Sequence, residues 1–361
     1  MRGSEAVISM PTNLIGLNLA ELRRLAAAWG EPAYRGNQLY HALYARRCFA
    51  LSRVSNLPRR LRARLERDTS IALPQIAQRY PSLDGAVRYL FRLADGKTIE
   101  TVWMPEETRQ TLCLSTQAGC AVDCHFCATA QLGLVRNLSP GEIVGQVLAA
   151  LADQREPRRP RPHVVLMGQG EPLLNYDATL AAVRLLADPD GIAIPLRRIT
   201  LSTAGIVPGI RRLAKEEIRP KFALSLNATT DEQRDAIMPV NRKYPLRELL
   251  AACRDYPLRR WERLTFEYVL LGGFNDTPDD ARRLLALARG LRCKFNLIPW
   301  NAVSGLPYRA PSEEAIEAFQ GTLRRAGLLA FLRRSRGQDV FAACGQLASS
   351  ETVAAAPAPG S

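Results

Sequence analysis

Apolar residues recur three and four positions apart near the start of the chain. Leu19, Leu22 and Leu25 share one helical face, Asn18 and Glu21 are spaced to cap it reciprocally, and Gly30 ends it. A second helix is expected from Gly36 to Ala45. A third places Pro58 in its first turn and turns Leu57, Leu61 and Leu65 inward, with Arg59, Arg60, Arg62, Arg64 and Arg67 covering the rest. Residues 1–85 therefore read as a small basic helical domain. The period then changes to two. Val87–Leu93 and Thr98–Met104, joined by a turn at Asp95-Gly96, predict a β-hairpin. Beyond it, short apolar runs alternate with helical stretches: Leu112–Ser115, His163–Met167, Ile199–Ser202, Lys221–Leu226, Leu264–Leu271 and Lys294–Ile298. Six such runs predict an α/β fold, an incomplete (β/α)6 barrel over residues 86–348 with the hairpin as an extension. Chemistry in such barrels sits at the C-terminal ends of the strands. Arg155–Pro162 reads as a basic, proline-rich loop entering the second strand, and the Ala-, Pro- and Ser-rich stretch 349–361 as a disordered tail.

Charge adds a partner to this picture. The 361 residues carry 49 Lys and Arg against 35 Asp and Glu, a net charge of +14, which favours a polyanion such as RNA. The helical arginines also suit an ordinary solvated amphipathic face. No apolar run approaches the ~18 residues of a membrane span, and the first residues lack a secretory pattern, so a cytoplasmic protein without a membrane partner is expected. Eight cysteines in that compartment point to cofactor or redox chemistry.

The densest chemistry is Cys120-Ala-Val-Asp-Cys124-His-Phe-Cys127. Three thiolates on one loop hold three corners of a [4Fe–4S] cluster and leave the fourth iron open to a substrate. Zinc would normally take four Cys or His ligands, and a simple dithiol would leave Cys120 unexplained. Gly168-Gln-Gly170-Glu171-Pro172 follows the second strand, where glycines admit a ligand to the backbone and Glu171 offers a carboxylate to an ammonium group. Ser202, the run Ser225-Leu226-Asn227, and Asn301 supply polar strand ends. Cys48, Cys253 and Cys293 read as small core residues, whereas Cys344, beside Gly345 and Gln346, reads as an exposed thiol.

The cysteine motif with its internal aromatic resembles the signature of the radical S-adenosylmethionine (SAM) superfamily. With Cys113 seven residues before Cys120, and Ala342-Ala-Cys344-Gly-Gln-Leu347 near the end, the chain resembles the RlmN/Cfr family of radical SAM RNA methyltransferases through Leu347. The resemblance implies a radical SAM barrel, with SAM on the open iron and its amino group at the Gly-Glu-Pro turn. It implies that Cys344 accepts a methyl, that the derived methylene radical adds to adenine, and that Cys113 resolves the adduct through a Cys113–Cys344 disulfide. Glu100 matches the family's proposed general base, though it could also be a solvated strand residue. The implied partners are 23S rRNA, tRNA beside the anticodon, and an electron donor such as flavodoxin or ferredoxin, with the enzyme acting as a monomer. The expected product is C2-methyladenosine, and the nearest alternative is methylation at C8. A protein-directed radical SAM activase or a non-catalytic metal-stabilised RNA-binding protein are more distant readings. Asn227 departs from a common His and Gln169 from a common Met or Gly, which touches the ribose contact but not the cluster.

Overall fold

The computed structural model describes residues 11–154 and 161–348, so the tail from 349 and most of the 155–162 loop lie outside the described residues. The two-residue strands β1 (Thr12–Asn13) and β2 (Thr69–Ser70) pair in parallel and bracket three helices, α1 (Leu19–Ala28), α2 (Tyr34–Tyr40) and α3 (Arg59–Asp68). The capping box expected at α1 forms, with Glu21 N–H on the Asn18 side chain at 3.0 Å and Asn18 N–H on the Glu21 carboxylate at 2.7 Å. The second helix starts at Tyr34, two residues earlier than expected, and continues as a π-helical turn from His41 to Ala45.

These helices do not form a separate body. Leu22, Leu39, Tyr44 and Leu61 belong to the same buried cluster as Val147 and Leu180. Gly16 approaches so closely that a Cβ on it would stand 2.6 Å from the main-chain N of Gly141. Within the span expected to be helical, β3 (Gln75–Pro81) pairs with β4 (Val87–Arg92), and β4 with β5 (Thr98–Pro105), all antiparallel. β3 escaped the sequence reading because it is a half-exposed edge strand with no apolar alternation.

β5 pairs antiparallel with β6 (Gln110–Cys113), which opens the barrel. The short hairpin β7 (Gln117–Gly119) and β8 (Leu134–Asn137) flanks α4 (Ala128–Gln131). Then β9 (His163–Leu166), β10 (Ile199–Thr203), β11 (Lys221–Ser225), β12 (Leu264–Leu270), β13 (Cys293–Pro299) and β14 (Ala330–Leu332) continue in parallel from β6. The connecting helices are α5 (Pro140–Asp153), α6 (Tyr176–Ala187), α7 (Val207–Leu213), α8 (Asp231–Ile237), α9 (Leu246–Arg254), α10 (Pro278–Leu287) and α11 (Glu313–Arg325). All six expected barrel strands are present, each end within two residues, and β14 adds a seventh parallel strand too short for periodicity to reveal. The sheet does not close: β14 is one edge and β3 the other.

Side chains alternate between the two faces along each parallel strand. Val164 and Leu166, Leu201, Phe222 and Leu224, and Phe266 and Tyr268 face the helices and are buried. The opposite set, including Cys113, Val165, Ser202, Ser225, Glu267 and Asn296, lines the barrel interior.

Candidate active site

The three-cysteine loop leaves β7 at Gly119 and is held by the Cys120 N–H on Gly133 O at 2.9 Å. Cys127 is the N-cap of α4, and its N–H reaches Cys124 O at 3.0 Å, so the loop turns back on itself and keeps the sulfurs together. Val122, Phe126, Ala204, Met238, Leu271 and Trp300 form an apolar shell against which all three cysteines pack. Trp300 donates its indole N–H to Phe126 O at 3.0 Å, and His125 sets Nδ1 2.8 Å from Ala236 O, so this ring is spent outside the sulfur cluster. Burial pushes the Cys120 thiol up to about 12 and raises Cys124 and Cys127 as well. Such thiols stay protonated until a metal displaces the proton. Among the described residues no three His, Cys, Asp or Glu side chains converge on a single-ion site. A cubane spreads its thiolates over three different irons, and the shell and donor set fit that group.

The glycine turn lies one strand away. Gly170 has φ +97°, and a Cβ there would fall 2.5 Å from Gln117 Cβ, so only glycine lets β7 and this turn meet. Glu171 is buried, and its carboxylate accepts the main-chain N–H of Leu173 at 3.0 Å and of Ala204 at 2.7 Å. Burial raises its pKa against those bonds, and a carboxylate's remaining lone pairs are free for an ammonium donor. Ser202 Oγ is 3.4 Å from Ser225 Oγ, side by side at the ends of β10 and β11. Leu226 is fully buried.

Two expected contacts are engaged within the protein. Asn227 adopts φ +58°, a conformation Asn tolerates better than most residues. Its carboxamide accepts Val269 N–H at 2.9 Å and donates to Met238 Sδ at 3.3 Å, so it ties β11 to β12. Asn301 donates to Cys344 O at 3.0 Å and accepts from Gln338 at 2.9 Å.

Sequence reading missed Arg234. This fully buried guanidinium donates to Leu226 O at 3.0 Å, to Asn241 Oδ1 at 3.2 Å, and to Ala204 O and Ser225 O at 2.5 and 3.2 Å. It gathers the ends of β10 and β11 behind Cys124. Burial lowers its pKa to about 10 while Cys124 favours its charge. On a short surface-like helix, Asp231–Ile237, nothing in the sequence marks it as interior.

The remaining chemistry depends on a strap. After β14, residues 333–347 cross the open side of the barrel to the antiparallel strands. Arg336 bonds Asp84 at 2.8 Å and Pro105 O at 3.2 Å, Gly337 N–H bonds Asp84 at 2.9 Å, and Ser82 bonds Asp339 at 2.6 Å. Ala342 and Leu347 then pack with Val102 and Cys113. Ala128 N–H on Gly345 O at 2.7 Å and Thr129 on Leu347 O at 2.6 Å pin the same segment to the cluster-motif helix. Cys344, between Ala342 and Leu347, is thereby brought beside Cys113, near enough to act on its thiol, and near Cys127. Cys113 is buried, and burial raises its thiol, with Cys344 adding to the shift.

Glu100 is not a solvated strand residue. It is fully buried and ion-paired with Arg88, itself 1% exposed and stacked 4.1 Å over the Tyr80 ring. Register sets Arg88 opposite Val102 and Val102 opposite Cys113, so the pair shares the face that carries Cys113. Gln169, in the glycine turn, bridges back to the Glu100 main-chain N–H at 3.3 Å and to its carboxylate at 3.5 Å. This residue, a departure from the family pattern, links the turn to the carboxylate.

Comparison with known proteins agrees with this geometry. The Radical SAM superfamily profile matches residues 114–287, and the ribosomal RNA large subunit methyltransferase N-terminal domain matches residues 12–71. A probable dual-specificity RNA methyltransferase RlmN from Koribacter versatilis is 49% identical over 90% of this chain and 98% of its own. The chain belongs to the RlmN family. A second relative, the dual-specificity RNA methyltransferase RlmN from Anaeromyxobacter sp. strain Fw109-5, is 50% identical over 93% of this chain and 90% of its own. The crystal structure of a radical SAM methyltransferase from Sphaerobacter thermophilus superposes with a TM-score of 0.90 at 45% identity, covering 94% of this chain and all of that one. As an RlmN-family member the protein is a radical SAM methyltransferase that uses a [4Fe–4S] cluster and SAM. No helix among the described residues is long and apolar enough to cross a membrane.

Cys344 offers a direct check on this site. Solvent reaches it, yet protein surrounds it on most sides of the cleft, and that enclosure, with the nearby Glu267 carboxyl, pushes its thiol up to about 11. Its alkylation by iodoacetamide in cluster-free protein should run roughly 100-fold slower at pH 8 than that of an unperturbed thiol, and keep rising with pH through about 11. Peptide mass spectrometry of time points would show it. A plateau near pH 9 would mean the cleft leaves the thiol in an ordinary setting.

Proposed function

We propose that this enzyme methylates C2 of an adenosine in 23S rRNA, and of the adenosine beside the anticodon in tRNA, through S-methylation of Cys344 and a transient Cys113–Cys344 disulfide. The observation that carries the reading is the strap, which brings an accessible Cys344 over buried Cys113 beside the cluster loop, on the face that holds Glu100. Cys120, Cys124 and Cys127 would hold the cluster. Gly170, Glu171, Ser202, Ser225, Leu226, Asn227 and Asn301 would frame SAM, with Glu171 receiving its amino group. When bound, the cluster and SAM supply the methyl group and a deoxyadenosyl radical.

The protein's own groups do the rest. Cys344 loses its proton and takes a methyl on sulfur, and a hydrogen atom then leaves that methyl. The methylene carbon bonds to the electron-poor C2 of adenine, so enzyme and RNA become one covalent species. The adduct at this point is a radical; it gives up one electron, which the bound cluster would take back, and Glu100 removes the proton from C2. Cys113, as its thiolate, attacks Cys344 sulfur, the carbon–sulfur bond breaks with its electron pair going to the methylene carbon, that carbon takes a proton from solvent to complete the methyl, and the disulfide is reduced by cellular thiols. An electron donor of the flavodoxin or ferredoxin type, a monomeric state and a cytoplasmic setting complete the proposal.

The test is isotopic. With SAM deuterated in its methyl group and a 23S rRNA fragment, the product should be 2-methyladenosine carrying two deuteriums. Co-elution with 8-methyladenosine would move the chemistry to the other edge of the ring, and three retained deuteriums would end the methylene route.

A further inference from the structure

Three cations gather along the interior face of the barrel and the start of the strap. One row of the sheet runs Cys113, Val165, Thr200, Lys221 across β6, β9, β10 and β11, and the row above it reaches Thr265 and Lys294 on β12 and β13. Lys221 and Lys294 are each half-buried. Arg333 begins the strap, its N–H on Leu297 O at 2.8 Å, with its side chain exposed at the cleft. None of these three side chains makes a hydrogen bond or ion pair among the described residues.

They nevertheless share one field. Burial lowers the pKa of both lysines, Lys294 lowers that of Lys221 further, Arg333 acts on Lys294, and Arg333 also acts on Cys344. The carboxylates nearby answer this charge only in part, Glu262 raising the pKa of Lys221 and Glu267 that of Lys294. Glu267 is buried and bonded by Asn296 at 2.9 Å, Glu262 pairs with Arg259, and Glu106 pairs with Arg109 at 2.8 Å. Half-buried cations in excess of their counter-charge are costly to fold unless an anion arrives.

The proposed chemistry delivers one. A base bonded to Cys344 belongs to a nucleotide with a phosphodiester on each side, and neither can stay far from the thiol that holds the ring. We propose that Lys221, Lys294 and Arg333 form a phosphodiester subsite within the barrel cleft that receives the backbone of the target nucleotide. This rests on the reading of Cys344 as the point of attachment to RNA. It differs from the arginines of α3 in location and role. Those stand outside the barrel, whereas this subsite seats the reacting nucleotide.

The experiment measures binding of a 23S rRNA fragment to the holoenzyme across a salt series, for wild type, Arg333→Gln and Lys221→Gln/Lys294→Gln, with melting curves to check the fold. Each lost phosphate contact should weaken binding and reduce the slope of log affinity against log salt by about one unit. Arg333→Lys should restore the slope, since a point charge suffices. Unchanged slopes in folded variants, with wild type still salt-dependent, would overturn the subsite alone. A wild type that binds no RNA would remove the functional reading and the subsite together. Inorganic phosphate serves as the second probe: saturable binding lost in the variants, with RNA slopes unchanged, would reassign the cations to a free anion and overturn the proposal.

Discussion

Enzyme carrying Cys113→Ala should leave the cell covalently joined to RNA through Cys344. Cys344 remains able to take its methyl and add to adenine, because Cys113 contributes no bond to the strap beyond packing with Val102, Ala342 and Leu347. What is lost is the thiol proposed to attack the Cys344 sulfur. Turnover should fall below detection, and the purified protein should show a ribonuclease-sensitive shift on a denaturing gel. The change costs little stability, since a small buried side chain is exchanged for a slightly smaller one. A variant that methylates RNA at a wild-type rate, or carries no adduct, would assign resolution to another group.

The other large effect concerns stability. Arg88 and Glu100 face each other with almost no solvent, and removing one charge strands the other. Arg88→Met is expected to cost about 3–5 kcal/mol, and Glu100→Leu a similar amount. The double replacement should cost much less than the sum, because apolar residues of similar volume leave no charge behind. Guanidinium unfolding of the four proteins closes the cycle, and additive costs would show that the two side chains do not depend on each other. If Glu100 is the base, Arg88→Met should also slow release of the adduct, while Arg88→Lys, which keeps the charge, should restore part of that rate.

The sequence was most legible where physics acts locally. Alternating strands, the Asn18–Glu21 capping box and the spacing of Cys120, Cys124 and Cys127 each depend on neighbours a few residues apart. Edge strands were harder. β3 has mixed polarity because solvent meets both its faces, and β14 is three residues long. Long-range polar structure was not legible at all. Arg234 looks like any surface arginine until the ends of β10 and β11 surround it, and Glu100 looks solvated until Arg88 folds across it. The shared core of α1–α3 and the barrel likewise has no local signature. It changes the practical test of RNA binding by α3, because deleting residues 1–85 would strip buried surface and β3 from the barrel. Arg59 and Arg60 remain exposed candidates for phosphate contacts. Arg62 instead donates to Ser52 O at 2.7 Å, and Arg64 stacks 4.4 Å over Trp29.

The strap also orders events in time. Synthesis from the N-terminus delivers the cysteine loop, the glycine turn and all seven parallel strands, ending with β14 at Leu332, before residue 344 exists in the chain. The proposed methyl acceptor is therefore the last chemical part to be made. A chain arrested ahead of the strap would possess the residues for binding cluster and SAM, yet offer the methyl no sulfur to land on.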